Sequence, residues 1–355
     1  MPITLGVDGH KQQHTIVALN AVGQPLDERT IPNTSAGYQQ AFDWACQLDE
    51  IRTWGVENSG HLSRGFAQFL VAQHERVFEV SPNLTSRQRR RSKASTKSDS
   101  HDALAVGRIA LQEGDKLPVV PLEDETMQVK LLVEHRDNLV REQTRLINQL
   151  HRHLMDVDPQ YKQHIGEVNR MRTLRTCQSY PLDENDPIQQ VRGQLIQQLA
   201  TLILQLKQPI KALEAQLKTL VQSIAPTLGT ILGINTLNAA QLIGQVGRIE
   251  QVASAAALAQ YAGLAPIRHG SAGPYYHRVN PRGDRQLKTV FHLIAQTQSR
   301  CSPHAQAYLA KKKAEGKTPK HAFRCLKRRM VDIVYAVWKK GQPYQAPVLA
   351  AAEVA

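Results

Sequence analysis

The sequence has few cysteines and no long apolar run, and both features exclude classes of protein. Its four cysteines, Cys46, Cys177, Cys301 and Cys325, show no C-x-x-C spacing. The sequence therefore predicts neither a zinc site nor a disulfide framework, which suits a reducing cytoplasm. A signal peptide and an apolar run of about 18 residues are also missing, so we expect a soluble chain with no membrane span.

The positive charge of the chain is distributed unevenly. The 355 residues carry a formal net charge of +13. Residues 1–83 have 5 Lys/Arg against 9 Asp/Glu, residues 84–111 have 7 against 2, residues 112–226 have 14 against 15, and residues 227–341 have 18 against 4. This distribution predicts a nucleic-acid binder whose chemistry lies on the acidic part. Charge that serves colloidal solubility alone is the alternative.

The first 113 residues have the pattern of an α/β layer. Short apolar or alternating runs predict strands, and residues with helical spacing predict the helices between them. The predicted strands cover residues 3–8, 14–20, 24–31, 53–58 and 76–82, and the predicted helices cover residues 35–48 and 61–74. A basic linker follows, and then a helix that begins near Asp99. The order predicts a mixed sheet flanked by helices.

The middle of the chain predicts two long helices, over residues 123–155 and 188–224. Leucines recur at intervals of seven residues in both, as in Leu199, Leu206 and Leu213 of the second. Such seams suit an antiparallel hairpin, an intermolecular coiled coil or an ordinary intramolecular helical pair. Pro209 is expected to kink the second helix.

Four carboxylates form a candidate metal site. Asp8 and Glu57 end predicted strands, and Asp99 and Asp102 share one face of the first turn of a helix. Acidic residues are also common in a first helical turn for the sake of the dipole. Four gathered carboxylates would repel one another unless a cation lay among them. Mg²⁺ suits such oxygens, and two ions about 4 Å apart can clamp a phosphoryl transfer.

Basic residues in several segments of the chain are candidate contacts to nucleic acid. The cluster at residues 311–329 has nine Lys/Arg and one Glu, and either a backbone contact to DNA or RNA or a solvated helix face explains it. The candidate nucleic-acid-binding residues are Lys11, Arg87, Arg89, Arg90, Arg91, Lys93, Lys97, Arg268, Arg278, Arg282, Arg285, Lys288, Lys311, Lys312, Lys313, Arg324, Lys327 and Arg328. His10, beside Lys11, is interpreted as a polar turn residue.

Several segments carry a family resemblance. "GVDGHKQQHTIVAL", "GVENSG" and "KSDSHDALAVGRIA" resemble the amino-terminal motifs of the DEDD transposases of bacterial insertion sequences, the group that includes the Piv-type DNA invertases. "LAQYAGLAPIRHGSAG" and "RVNPRGDRQLK" resemble the carboxyl-terminal transposase domain of that family. The resemblance covers roughly residues 3–112 and 227–300.

The resemblance implies a domain plan and a chemistry. It implies a ribonuclease H-like (RuvC-like) catalytic domain over residues 1–113, a helical coiled-coil region over 114–226, a mainly helical transposase domain over 227–341 and a tail over 342–355. It implies that Asp8, Glu57, Asp99 and Asp102 bind two Mg²⁺ ions in each site, and that Mn²⁺ can substitute for Mg²⁺. The implied activity is DNA recombination of donor and target duplexes, guided by an RNA that the element encodes, in a nucleoid-associated enzyme of the bacterial cytoplasm.

The resemblance also implies a serine nucleophile, Ser271, flanked by glycines that permit close approach of a ligand. Nearby arginines could neutralise the attacked phosphate, and a phosphoserine link would conserve the bond energy. Tyr275 and Tyr276 are rival nucleophiles. Because the serine is about 170 residues from the last carboxylate, either the domains fold together or two protomers share a site, so a dimer or tetramer is expected.

One departure from the family pattern and two rival functions stay open at this point. The segment "LGTILGINTLNAAQLIGQVG" resembles a helix-hairpin-helix element, but Asn235 stands where a second glycine is usual, and plain helix packing explains the segment equally well. An actin- or sugar-kinase-like ATPase also begins with a strand and "GVD", although its second Gly-rich phosphate loop is not found here. A non-catalytic nucleic-acid scaffold is the other rival.

Overall fold

The computed structural model describes residues 2–91, 98–183, 185–269, 276–278, 280, 281 and 283–346, with the backbone alone at 87–91, 268, 269 and 276–278. The chain divides into two compact units, Met1–Glu123 and Asp124–Ala355. The boundaries predicted for three domains and a tail stay predictions, and residues 347–355 of that tail lie outside the described residues. No described helix combines the length and apolar character that a bilayer crossing requires.

The first unit is built on a five-stranded sheet in the order β3-β2-β1-β4-β5. The strands are β1 (Ile3–Gly9), β2 (Gln13–Leu19), β3 (Pro25–Pro32), β4 (Arg52–Glu57) and β5 (Arg76–Val80). The first three form an antiparallel meander, and β4 and β5 run parallel to β1. This order, with helices on both faces, confirms the prediction of a ribonuclease H-like mixed sheet.

Helices cover the two faces of this sheet. The helices α1 (Ser35–Leu48) and α2 (Arg64–Ala72) share a core with Val7 and Ile16 on one face. After α3 (Pro82–Arg91), the helix α4 (Asp99–Glu113) packs on the other face, where its Ala103 contacts Val17 and Leu19. Adjacent strand residues point to opposite faces, so each strand contributes to both layers.

The helix α3 corrects one expectation, since the sequence pattern predicted a strand that ends at Pro82 and a basic linker after it. The local signal is Ser81-Pro82. Proline is favoured at the first helical position, where its missing N–H costs nothing. The carbonyl of Ser81 accepts the first helical hydrogen bond, from the N–H of Leu84 at 2.8 Å.

The second unit begins with two long antiparallel helices, α5 (Glu125–Val157) and α8 (Pro187–Ile224). The end of α5 shares a core with the start of α8 through Leu150 and Ile196. The start of α5 shares another core with the end of α8, through Val129 and Leu217. The seams therefore form an intramolecular antiparallel pair. Two short helices between them, α6 (Tyr161–His164) and α7 (Met171–Gln178), were not predicted.

The rest of the second unit is mainly helical, as expected. Its elements are α9 (Thr236–Val246), α10 (Ala255–Tyr261), a small hairpin of β6 (Ile267–His269) and β7 (Tyr276–Arg278), α11 (Arg285–Cys301), α12 (Pro303–Ala314) and α13 (Pro319–Lys340). Phe291 of α11 and Trp338 of α13 lie in one apolar core with residues of α9 and α10. The hairpin strands flank residues 270–275, which lie outside the described residues.

Candidate active site

The sheet places Asp8 and Glu57 side by side. Val7 of β1 pairs with Val56 of β4 in parallel register, so Asp8 and Glu57 are the next residues on neighbouring strands. They stand at the carboxyl ends of these strands, where α/β sheets commonly hold their sites. Both residues are largely buried, with exposed fractions of 8% and 5%. Few carboxylates are buried to this extent without a partner or an ion.

Three glycines let α4 approach the face of the sheet that carries these carboxylates. A Cβ on Gly6 would lie 2.6 Å from the Cα of Gly107 in α4, and closer still to the Ala103 carbonyl oxygen. A Cβ on Gly55 would lie 2.6 Å from the Cβ of Ala110. Because alternate residues of a strand share a face, Gly6 and Asp8 face α4 together. The glycines thus bring the helix against the strands that end in acid.

The first turn of α4 supplies two more carboxylates. The Ser98 hydroxyl caps the helix by accepting the N–H of His101 at 3.3 Å. Asp99 is half-exposed and Asp102 is buried. The positive end of the helix dipole stabilises both charges. The first turn of α4 therefore agrees with the dipole interpretation as well as with a metal site. Only the metal-site interpretation also accounts for the buried carboxylates of Asp8 and Glu57 on the neighbouring strands.

His10 joins the carboxylates, which the sequence interpretation did not anticipate. It lies in the turn between β1 and β2, and its Nε2 is 3.2 Å from Asp8 Oδ2 and 3.3 Å from Asp99 Oδ1. In the part of the chain that the structure describes, ligating atoms of Asp8, His10 and Asp99 all lie within 4.8 Å of one another. Glu57 and Asp102 lie outside this group. The available signal was a histidine two positions after the aspartate.

Two hydroxyl groups hold Glu57. Thr85 of α3 is fully buried, and its hydroxyl shares one proton between Glu57 Oε1 at 3.2 Å and the carbonyl oxygen of Pro82 at 2.9 Å. The Ser63 hydroxyl donates to the Glu57 carbonyl oxygen at 2.8 Å. Sequence reasoning missed both residues, since Thr85 was expected in a linker and no local pattern marks Ser63 as a partner of Glu57. Thr85 contacts the Glu57 carboxylate, and Ser63 holds the Glu57 backbone.

Electrostatic repulsion is concentrated on Asp8. Burial raises the pKa of Asp8, the imidazole of His10 opposes this rise, and the nearby carboxylates of Asp102 and Asp99 raise the pKa further. A bound divalent cation would relieve both the burial cost and the repulsion. Carboxylate oxygens are also the donors that Mg²⁺ and Mn²⁺ prefer. The residues present therefore fit a divalent metal ion.

The predicted basic residues are in differing surroundings. Lys11 lies exposed in the same turn as His10. In the second unit, Arg285, Lys311, Lys313 and Arg324 are exposed. Ser271, Tyr275, Arg282, Lys93 and Lys97 lie outside the described residues, as do the side chains of Arg87, Arg89, Arg90, Arg91, Arg268, Tyr276 and Arg278.

Some of these basic side chains have internal partners. Lys288 donates to the carbonyl of Asn280 at 3.1 Å, and Lys312 forms an ion pair with Glu315 at 2.9 Å. Arg328 pairs with Asp332 one helical turn away. Burial lowers the pKa of Lys327, and the charges of Arg324 and Lys288 lower it further.

The segment compared with a helix-hairpin-helix differs from expectation at Asn235. This residue has φ −95° and is the N-cap of α9, where its Oδ1 accepts the N–H of Asn238 at 2.8 Å. The left-handed conformation occurs instead at Gly233, with φ +92°. An open cleft of about 380 Å³ adjoins this turn, and Gln296 and Arg300 are among the residues that line it.

Comparison with known proteins identifies the family. The model of a DEDD transposase of the IS110 type matches residues 5–159, and the model "Transposase IS116/IS110/IS902 family" matches residues 225–310. A third model, "snoRNA binding domain, fibrillarin", matches residues 128–259. The two transposase matches together span about two thirds of the chain; the first covers nearly all of the first unit and the start of the second, and the other lies in the second unit.

Individual relatives are similar over nearly their whole length. An insertion element IS116 protein of Streptomyces clavuligerus is 26% identical, with 94% of both chains covered. An insertion element IS110 protein of Streptomyces coelicolor is 25% identical, over 99% of this chain and 98% of the other. A pilin gene-inverting protein of Moraxella bovis is 24% identical, with 89% of both covered.

Among solved structures, T. thermophilus RuvC in complex with a Holliday junction substrate matches with a TM-score of 0.27 and 11% identity, over 34% of this chain and 100% of the other. The strand order of the sheet, and not this match, carries the fold assignment. The transposase models match the carboxylate-bearing unit and the helical unit alike, and the relatives share both. The chain therefore belongs to the IS110/IS116 family of insertion-element transposases.

Proposed function

We propose that this transposase recombines the DNA of its own insertion element by divalent-metal-dependent strand cleavage and exchange, through a covalent phosphoserine intermediate and under the guidance of an element-encoded RNA. Members of a transposase family transfer phosphoryl groups on DNA. The observation that best supports the metal-dependent part of this proposal is the convergence of Asp8 and Asp99 on one imidazole nitrogen, at 3.2 and 3.3 Å, near the buried Asp102.

Asp8, Glu57, Asp99 and Asp102 would hold Mg²⁺, as two ions in each site, and Mn²⁺ would substitute for it. When bound, such ions neutralise the charge that develops on a scissile phosphate. The chain's own contribution is to hold the carboxylates. The β1–β4 pairing fixes Asp8 and Glu57, Thr85 orients Glu57, and the Ser98 cap fixes the first turn of α4.

The proposed nucleophile is the hydroxyl of Ser271, which lies in sequence between β6 and β7. Attack forms a bond from its Oγ to phosphorus and breaks the phosphorus–oxygen bond to one deoxyribose. The serine proton is lost, and the leaving oxygen gains a proton to become a sugar hydroxyl. The number of phosphoester bonds is unchanged, so strands can be rejoined without ATP. Arg268, Arg278, Arg282 and Arg285 are proposed to neutralise the attacked phosphate.

The proposed RNA partner has support of its own. The snoRNA-binding model matches residues 128–259, which include the helical pair α5 and α8. The charge of residues 227–341 suits binding to a nucleic-acid backbone. Protein purified from its host would then carry one discrete RNA. Recovery of the protein with no RNA, still fully active on DNA, would contradict this part of the proposal.

Cleavage of supercoiled DNA that carries the element tests the whole proposal. We expect cleavage with Mg²⁺ and the co-purified RNA, none with a chelator, and none with Asp102→Asn. The matched control is Asp115→Asn, because Asp115 is an exposed aspartate of the same unit that lies outside the site. Equal activity of Asp102→Asn and the wild type would refute the metal-site proposal.

Two further measurements separate the finer alternatives. If Tyr275→Phe and Tyr276→Phe abolish covalent protein–DNA adducts while Ser271→Ala retains them, the serine assignment is wrong. We also propose that the active species is a dimer or tetramer. Full activity of a strictly monomeric protein at low concentration would overturn that assembly.

A further inference from the structure

We propose that His10 is a nitrogen ligand of a metal ion held by Asp8 and Asp99, and that it makes this site prefer Mn²⁺ to Mg²⁺. The inference rests on the proposed function, since it concerns an ion at the same carboxylates. It adds a residue to the site and specifies which ion the site selects.

The distances around His10 Nε2 fit one edge of a coordination sphere. Six-coordinate metal–oxygen bonds of 2.0–2.1 Å place neighbouring ligand atoms about 3 Å apart. The observed separations to Asp8 Oδ2 and Asp99 Oδ1 are 3.2 and 3.3 Å. A strong charged hydrogen bond is shorter, at about 2.7–2.9 Å, and the contact to Asp8 is also within the range of an ordinary hydrogen bond, which the imidazole makes in the absence of an ion. The imidazole therefore lies where a third ligand to a metal ion bound by both aspartates would lie.

The turn that carries His10 is held from both sides. The His10 N–H donates to the carbonyl of Gln13 at 2.9 Å and so closes the turn. The Asn33 side chain donates to the Lys11 carbonyl at 3.2 Å and ties the turn to the end of β3. A ligand on a fixed turn loses less conformational entropy when it binds an ion.

The chemistry of the donor set indicates the ion. Mg²⁺ is bound through oxygen and keeps several waters, whereas imidazole favours transition ions. Mn²⁺ binds carboxylate oxygen as Mg²⁺ does, and as a first-row transition ion it accepts a nitrogen ligand more readily than Mg²⁺. One imidazole among carboxylates therefore shifts the preference of the site toward Mn²⁺ without excluding Mg²⁺.

The test uses Mn²⁺ itself with the full-length, tag-free protein. Electron spin-echo measurements on bound Mn²⁺ detect a coupled ¹⁴N nucleus, and titration gives the Mn²⁺ dissociation constant and the competing Mg²⁺ constant. We expect nitrogen coupling in the wild type and its loss in His10→Ala. The same variant should weaken Mn²⁺ binding about tenfold or more, as loss of even an outer-shell partner can do, and change Mg²⁺ binding by less than about twofold.

The controls distinguish failure of this inference from failure of the proposed metal site. His61→Ala changes another exposed histidine of the same unit and should keep the nitrogen coupling. Thermal melting of His10→Ala confirms that the variant is folded. Bound Mn²⁺ without nitrogen coupling, with its affinity abolished by Asp8→Asn, would overturn the role of His10 and leave the metal site standing. Failure of the wild type to bind Mn²⁺ at all would overturn both.

Discussion

Replacement of Gly6 by alanine tests whether close approach of α4 builds the active site. Gly6 lies on the face of β1 that carries Asp8, and α4 crosses it at Ala103 and Gly107. The added methyl group meets backbone atoms of the helix, and backbone atoms cannot turn aside as a side chain can. We therefore expect Gly6→Ala to push α4 away from the sheet and to carry Asp99 and Asp102 with it.

The size of the effect follows from the distances. The new Cβ would lie 2.6 Å from the Cα of Gly107, whereas carbon atoms in contact are about 3.5–4.0 Å apart. Relief of this overlap requires a retreat of about 1 Å. Overpacking of this kind costs about 1–3 kcal/mol of unfolding free energy. A 1 Å displacement of catalytic groups lowers a rate about a hundredfold.

Chemical denaturation and cleavage of supercoiled DNA measure the two effects on the same preparation. The matched control is Gly60→Ala, because a Cβ at Gly60 would meet no heavy atom within 4 Å. We expect the control to resemble the wild type in both assays. If Gly6→Ala were as stable and as active as Gly60→Ala, the idea that glycines set the distance between helix and sheet would be refuted.

Three other variants test the surroundings of the site. Thr85→Val removes the hydroxyl that donates to Glu57. We expect DNA cleavage to slow about tenfold and the unfolding free energy to fall by about 1 kcal/mol. An unchanged cleavage rate would contradict a positioning role for Thr85. Burial and neighbouring carboxylates raise the pKa of Asp8, so the charged side chain destabilises the metal-free fold above that pKa. Asp8→Asn should therefore raise the melting temperature at pH 7 in a chelator and leave it unchanged at pH 3, where the carboxyl is protonated in the folded and the unfolded protein. A lower melting temperature at pH 7 would count against repulsion between these carboxylates. Glu75→Gln breaks a partly buried ion pair with Arg52, which has an N–O distance of 2.6 Å. It should lower the unfolding free energy by about 2 kcal/mol, as loss of a charged hydrogen bond does. Thermal melting is the measurement, and a change below about 0.5 kcal/mol is the contrary result.

Much of the site was predictable because its signals are local. Asp8 and Glu57 lie at the ends of short apolar strands, and Asp99 and Asp102 follow a capping serine, so adjacent residues indicate that both pairs lie at the end of an element. The mixed sheet was predictable for the same reason, since alternation and strand length are properties of a few adjacent residues. The helix α3 was missed because its run of arginines indicated a basic linker, and the Ser81-Pro82 signal for a helix start was not used.

Tertiary packing decided which residues complete the site. Thr85 reaches Glu57 across 28 positions of sequence, and no local pattern marks it as a partner. His10 is two positions from Asp8 in sequence, yet only the approach of α4 brings Asp99 to its other side. The depth of burial that raises the pKa of Asp8 likewise comes from the packing of β4 and α4 around it.

The sequence by itself determined the strands, the two long helices, the four acidic positions and the membership of a transposase family, because each depends on residue types at short, fixed spacings. Only the tertiary structure decided that the leucine seams of α5 and α8 pair within one chain and that an imidazole lies between two carboxylates. The physical reason is that these outcomes depend on contacts between segments far apart in the chain, whose free energies compare whole packing arrangements and not local preferences.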